Sequence, residues 1–90
     1  MHYTYMVRCS DHTYYIGYTN NLEKRIQAHN AGKGAKYTKG RGPVELVYYE
    51  EYEEKKDAMH REWEMKRLPR RKKESLVQST VQNFGEEKKK

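Results

Sequence analysis

The sequence predicts an α+β domain with the element order β-β-α-β-α-α. Three observations predict it. Two runs with a period of two, Tyr3 to Cys9 and Thr13 to Thr19, flank the turn cluster Ser10-Asp11-His12. A third alternating run spans Val44 to Glu51. The remaining long stretches, 20–30 and 54–68, carry helix start and stop signals instead.

In the first strand Tyr3, Tyr5, Val7 and Cys9 share one face, with Thr4, Met6 and Arg8 on the other. The second strand is antiparallel to it by hairpin logic and places Tyr15 and Gly17 on a common face. A glycine inside a strand marks a bulge or a close backbone approach. Asn20 and Asn21 are natural N-caps for the first helix, which runs to about Asn30 and is ended by Gly32. Leu22, Arg25, Ile26 and His29 fall within one arc of it, so two polar groups lie beside the core-facing stripe. Residues 32–43 form the longest loop, with four glycines, four cations and Tyr37.

The second helix, Glu54 to Leu68, is stopped by Pro69. With Ala58 at 0° and 100° per residue, Met65 falls at about 340°, Glu62 at about 40°, Met59 at about 100° and Trp63 at about 140°. Glu62 is therefore expected inside the apolar arc. A basic helix follows from Arg70 to about Val81. The expected organisation is one domain over residues 1–82 and a disordered charged tail over 83–90.

Composition narrows the partners. Ninety residues with 34% hydrophobic content hold one small core, to which nine tyrosines add bulk. The net charge of +6 favours an anionic partner. Residues 24–42 contain six Lys and Arg and no acid, 45–57 contain six acids, and 60–73 turn basic again. Cys9 stands alone, which excludes an intramolecular disulfide and a cysteine zinc site and fits a reducing, cytoplasmic setting, with nucleoid association compatible with the charge. No apolar run approaches a membrane span and no signal-peptide core is present, so no membrane partner is expected.

A carboxylate in an apolar face is costly unless it is paired or holds a metal. Glu62 either pairs with Arg25 across the core or holds one divalent cation, Mg²⁺ or Mn²⁺, with waters and a substrate phosphate completing the shell. Arg25 offers a planar fork to phosphate oxygens. His29 either takes a proton or contacts a phosphate, or is simply a satisfied histidine at the core margin. Tyr5 and Tyr15 either pack in the sheet or hydrogen-bond a water. Lys33, Lys36, Tyr37, Lys39 and Arg41 of the loop, with Arg70, Arg71, Lys72 and Lys73, are the candidate nucleic-acid contacts. Tyr37 suits base stacking. Contacts to phosphates of this kind are salt-dependent and carry no sequence information.

Tyr5, Tyr15-Ile16-Gly17, Leu22-Glu23-Lys24-Arg25, His29-Asn30 and Glu62 together resemble the GIY-YIG nuclease superfamily. His29-Asn30-Ala31-Gly32-Lys33-Gly34-Ala35-Lys36-Tyr37-Thr38 and Arg61-Glu62-Trp63-Glu64-Met65-Lys66-Arg67-Leu68 look like its small single-domain bacterial branch. The resemblance covers about residues 2–77. It implies a three-stranded antiparallel sheet flanked by helices and phosphodiester hydrolysis with one metal at Glu62. It also implies that Arg25 stabilises the transition state, that Tyr5 and Tyr15, assisted by His29, position or deprotonate the water, and that Gly17 leaves space beside the phosphate. Which of Tyr5, Tyr15 and His29 is the base stays open.

Two departures stand out. Tyr3-Thr4-Tyr5 replaces Gly-Ile-Tyr and keeps only the last tyrosine. Larger members attach a DNA-binding module that these ninety residues lack, which implies weak cutting, choice by shape, or a protein partner that supplies targeting. Asn83 matches no motif of the family. The expected function is a divalent-metal-dependent endonuclease on nucleic acid, DNA before RNA, selective for structure and serving repair or recombination. The alternatives are a nucleic-acid-binding module with little catalysis and a protein-interaction adaptor using Trp63. Oligomeric state is not encoded in any recognisable feature.

Overall fold

The computed structural model describes residues 1–34 and 38–89, with side chains described up to residue 79. The elements follow the expected order: β1 (His2–Arg8), β2 (Tyr14–Thr19), α1 (Leu22–Asn30), β3 (Glu45–Tyr52), α2 (Lys55–Lys66) and α3 (Arg70–Lys89). The three strands form one antiparallel sheet in the order β2-β1-β3. Asn21 caps α1 by accepting from the Lys24 N–H at 3.1 Å. The third helix extends past Val81, where the sequence reading ends it; no proline follows Pro69 to stop it. Among the described residues, no helix is long and apolar enough to cross a membrane.

The central place of β1 decides its burial. Thr4, Tyr5, Met6 and Val7 are all buried, so its alternation separates two cores rather than a core from solvent. Tyr5, Val7 and Cys9 pack with Val44, and with Leu22 and Ile26 of α1. Met6 packs on the other face with Ile16, Val47, Met65 of α2 and Val77 of α3. On α2 the buried stripe is narrower than the expected arc. Ala58 and Met65 are fully buried, whereas Met59 and Trp63 are 47% and 56% exposed. Glu62 consequently borders the buried stripe instead of sitting within it, with its side chain 20% exposed.

One polar knot fixes α2 against the sheet. Arg61 donates to both carboxylate oxygens of Glu50 on β3, at 2.9 and 3.1 Å. The Tyr48 and Tyr52 hydroxyls donate to the same carboxylate. Burial alone would push the Glu50 carboxyl up, but the hydrogen bonds from Arg61, Tyr48 and Tyr52 outweigh it and hold the group below the usual range. Burial, then the Glu50 carboxylate, pushes both phenols up to about 12. Four hydrogen bonds from three side chains on one half-buried carboxylate form a charge-assisted cluster, bidentate at Arg61.

At the other end of the sheet, the β1–β2 turn carries His12 at φ 67°. Arg70, at the start of α3, donates to the His12 carbonyl at 2.8 Å and lies over the Tyr14 ring at 4.8 Å.

Removing the Glu50 acceptor strands a guanidinium and two phenols. Glu50→Ala is expected to lower stability by about 2–4 kcal/mol, measured by urea unfolding. A depressed carboxylate stabilises above its unfolded pKa, and that stabilisation is lost as pH falls through the folded value. The Glu50→Ala penalty should therefore be full at pH 7 and shrink as pH falls below about 4.5.

Candidate functional site

The site is built around one buried phenol. Tyr5 lies in the middle of β1 opposite Gly17 of β2, and its side chain crosses the glycine. A Cβ on Gly17 would sit 2.5 Å from the Tyr5 hydroxyl oxygen and 2.7 Å from Cζ. The room left by Gly17 is thus filled by Tyr5, not kept beside a phosphate as the sequence resemblance implies. Tyr5 is fully buried, so its hydroxyl must find partners in the protein.

Helix α1 supplies them from one turn of helix. Arg25 Nε donates to the Tyr5 hydroxyl at 3.2 Å, and His29 Nε2 lies 2.8 Å from the same oxygen. The residues are four apart and so project from the same side of α1. His29 Nδ1 in turn lies 2.8 Å from Thr38 Oγ1. Both His29 and Thr38 are buried, at 2% and 1% exposure. The Tyr15 ring stands edge-on to His29 at 5.4 Å between centroids, and its phenol lies close enough to Arg25 to favour the charged guanidinium.

Hydrogen positions are assigned from this network. Burial first, and then the charge of Arg25, lowers the His29 pKa, so the ring is neutral at pH 7. A neutral imidazole donates from one nitrogen and accepts at the other. If Nε2 donated to Tyr5, the buried hydroxyl hydrogen of Tyr5 would have no acceptor among the described residues. The chain therefore runs Arg25 to Tyr5 to His29 to Thr38, each donating to the next. Burial also raises the Tyr5 pKa, against the opposing effect of Arg25, so Tyr5 is a neutral phenol. Neither Tyr5 nor His29 presents an accessible, uncommitted proton acceptor. Tyr15, only half-buried, is the phenol of the site that reaches water.

Glu62 approaches from α2, near enough for its charge to contribute to the upward shift of Tyr5. Its ion-pair partner is Lys66, at 3.1 Å. The ion pair with Arg25 raised as one reading of Glu62 is not formed: Glu62 pairs with Lys66, and Arg25 Nε is engaged by the Tyr5 hydroxyl. Among the described residues no three His, Cys, Asp or Glu side chains cluster. A soft or tightly caged metal does not fit such a donor set. A hard cation that keeps most of its waters and takes one carboxylate does fit it.

The basic residues divide into two groups. Lys33, Lys39, Arg71 and Lys72 are exposed, and Lys73 is half-buried. Arg41 pairs with Asp11 in the β1–β2 turn, and Arg70 is bonded to Glu74 and to the His12 carbonyl, so both serve the fold. Lys36 and Tyr37 lie outside the described residues. Three residues given no role by sequence reasoning complete the site. Thr38 and Gly34 clamp His29, a Cβ on Gly34 being excluded by the imidazole. Asn30 closes the loop by bonding both the N–H and the carbonyl of Val44, at 2.6 and 3.3 Å. All three stand in or beside the run 29–38, which was the only signal available for them.

The family model described as the GIY-YIG catalytic domain matches residues 1–75. The chain is 56% identical to the UPF0213 protein CPE1444 of Clostridium perfringens, over 88% of this chain and 85% of that one. It is 57% identical to the UPF0213 protein NP_0776A of Natronomonas pharaonis, over 84% and 89% respectively. The solution NMR structure of the UPF0213 protein BH0048 from Bacillus halodurans superposes with a TM-score of 0.56 at 51% identity, covering 86% of this chain and 82% of that chain.

Two substitutions test the packing around Tyr5. Gly17→Ala should cost about 1–3 kcal/mol in thermal or urea melts, because the added carbon meets the phenol ring as well as its oxygen. Tyr5→Phe should not relieve that cost. A histidine held neutral leaves the unfolded chain binding more protons below its ordinary pKa of 6.5. Wild-type stability should accordingly fall as pH drops through 6.5, and His29→Gln should flatten that part of the profile.

Proposed function

We propose that this chain, which belongs to the GIY-YIG catalytic domain family, is a divalent-metal-dependent endonuclease acting on DNA in preference to RNA. The observation that carries the reading is the Arg25 guanidinium fixed on the Tyr5 hydroxyl, which His29 also engages, with the Glu62 carboxylate of α2 within electrostatic reach of the same phenol. A set of this kind suits phosphodiester hydrolysis, in which positioning and charge stabilisation supply most of the rate.

In this reading Arg25 presents the rest of its guanidinium to the non-bridging oxygens of the scissile phosphate, with Tyr5 fixing the Nε edge. Tyr15 orients the attacking water. Water adds to phosphorus as the bond to the leaving oxygen breaks, and the proton that the water gives up passes through solvent to the leaving oxygen. Glu62 would hold Mg²⁺ or Mn²⁺, which supplies Lewis-acid stabilisation of charge on the phosphate and its leaving oxygen. Lys66, whose side chain is 52% exposed, pairs with Glu62 and would have to give up that pair for the carboxylate to hold a cation. Tyr5 and His29 are positioning residues, buried and committed to each other. Thr38 fixes the tautomer of His29 in the same way.

Lys33, Lys39, Arg71 and Lys72 neutralise backbone phosphates without reading bases, which favours selection by structure over sequence. Flapped, branched or single-stranded DNA arising in repair or recombination is the expected substrate, and a protein partner would add targeting.

Cleavage of labelled single-stranded, duplex, flapped and branched DNA at low salt, with matched RNA, tests this directly. Wild type should cut in Mg²⁺ or Mn²⁺ and not in EDTA. Glu62→Gln should bind the same DNA within a few fold and cut it at least about 100-fold more slowly, the cost of about 2.7 kcal/mol of transition-state stabilisation. Equal binding and no cutting by both proteins would replace the enzyme with a binding module.

A further inference from the structure

We propose that the outer face of α2 is a stacking platform for an unpaired base, centred on Trp63. The proposal rests on the nuclease reading and adds the class of strand that the site accepts: one with bases free of a partner.

Trp63 has no role in the core. It is 56% exposed, while the buried stripe of α2 is satisfied by Ala58 and Met65. Its ring is nonetheless held. The Arg67 guanidinium lies over it at 4.7 Å, and the His60 ring stacks with it at 5.9 Å and an interplanar angle of 23°. These residues stand three before and four after Trp63, on the same side of the helix. The His60 side chain is 69% exposed, and its contact with Glu64 is long, at 3.9 Å. An indole kept flat by a cation and an easily displaced ring is prepared for another planar group. A nucleobase taking the place of the imidazole keeps Arg67 over the indole and gains a larger stacking surface.

The location favours the strand being cut. Going round α2 from Glu62, the next side chains are Lys66 and Met59, then Trp63 and Arg67, at about 80°, 100°, 140° and 180° on the scale that puts Glu62 at about 40°. An exposed strip, in which Met59 is 47% exposed, therefore leads from the candidate cation carboxylate to the indole. Exposed Lys66 and the Arg67 guanidinium over the indole lie along this strip, and exposed Arg71 and Lys72 follow in the chain at the start of α3, a set of cations that complements a phosphate backbone. A duplex keeps its bases stacked on one another and offers none to the indole. A single strand, a flap or a frayed end does.

Trp63 is the sole tryptophan, so its emission reports on its own ring. Full-length protein in EDTA would be titrated with fluorescein-labelled oligothymidylate for anisotropy, with unlabelled oligothymidylate for tryptophan emission, and with a duplex of equal length. The platform predicts that emission is quenched with the same midpoint as the anisotropy change, and that the duplex quenches less. Trp63→Ala should bind oligothymidylate roughly 5- to 100-fold more weakly, as expected for one lost base stack, and Trp63→Phe should recover most of the loss. Binding by wild type with unchanged emission, and equal binding by Trp63→Ala, would overturn the platform and leave Trp63 as a surface for another protein. If Glu62-dependent cleavage persists under that result, the nuclease reading stands without the platform. If wild type binds no oligonucleotide at all, both fail together.

Discussion

The hydrogen bonds made by one buried tyrosine hydroxyl constrain most of this small domain. Tyr5 occupies the central strand, where neither face of the sheet offers water. Leaving its hydroxyl unpaired there would cost about 1–3 kcal/mol, comparable to what burying the ring contributes. The partners come from Arg25 and His29, which fixes both the rotation of α1 and its height along the strand. The ring then needs a neighbour without a side chain, and Gly17 provides it. His29 is buried in consequence, needs a partner for its second nitrogen, and finds it in Thr38. A cluster that serves the fold in this way also leaves Arg25 and Tyr15 at the surface in one fixed geometry, which is what a preorganised site requires.

The other half of the site depends on a different anchor. Helix α2 carries Glu62, yet its apolar stripe consists of little more than Ala58 and Met65. So narrow a stripe sets the rotation of a helix poorly. The bidentate bond from Arg61 to Glu50 supplies the missing constraint, because a planar fork on a carboxylate tolerates little twist. Glu62 is the next residue, and its direction is inherited from that bond. Phenol and carboxylate are thus located by separate polar contacts on separate strands, β1 and β3.

Most of the fold is legible in the sequence because its signals are local. Alternation marked the strands, Asn21 marked the start of α1, and Pro69 separated α2 from α3. What local signals could not convey was which strand lies in the middle, so burial on both faces of β1 is invisible in its alternation. The same limit applied to α2. A helical arc shows which side chains share a side, but not how wide a strip the sheet covers, and Met59 and Trp63 fall outside it. In the site, Tyr5, Arg25 and His29 stood out as chemically capable side chains at suggestive spacings. Thr38, Gly34 and Asn30 did not, because their importance comes from non-local contacts with His29 and Val44. The charges of Arg41 and Arg70 look available in the sequence for the same reason; only the folded chain brings Asp11 and the His12 carbonyl to them.

The clasp between Asn30 and Val44 has a consequence for how such a domain can vary. By bonding both backbone groups of Val44, the Asn30 amide imitates a strand partner and locks the end of α1 to the start of β3. The two stems of the intervening segment are thereby joined independently of what lies between them. Closing a longer segment across a fixed pair of stems adds little, about 0.6 kcal/mol for each doubling of length. The stretch between Thr38 and Arg41 is therefore a natural point for exchange or insertion, provided that Gly34 and Thr38 are kept against the imidazole. New recognition chemistry introduced there would be delivered to the rim of the site while the hydrogen-bonded centre remained untouched.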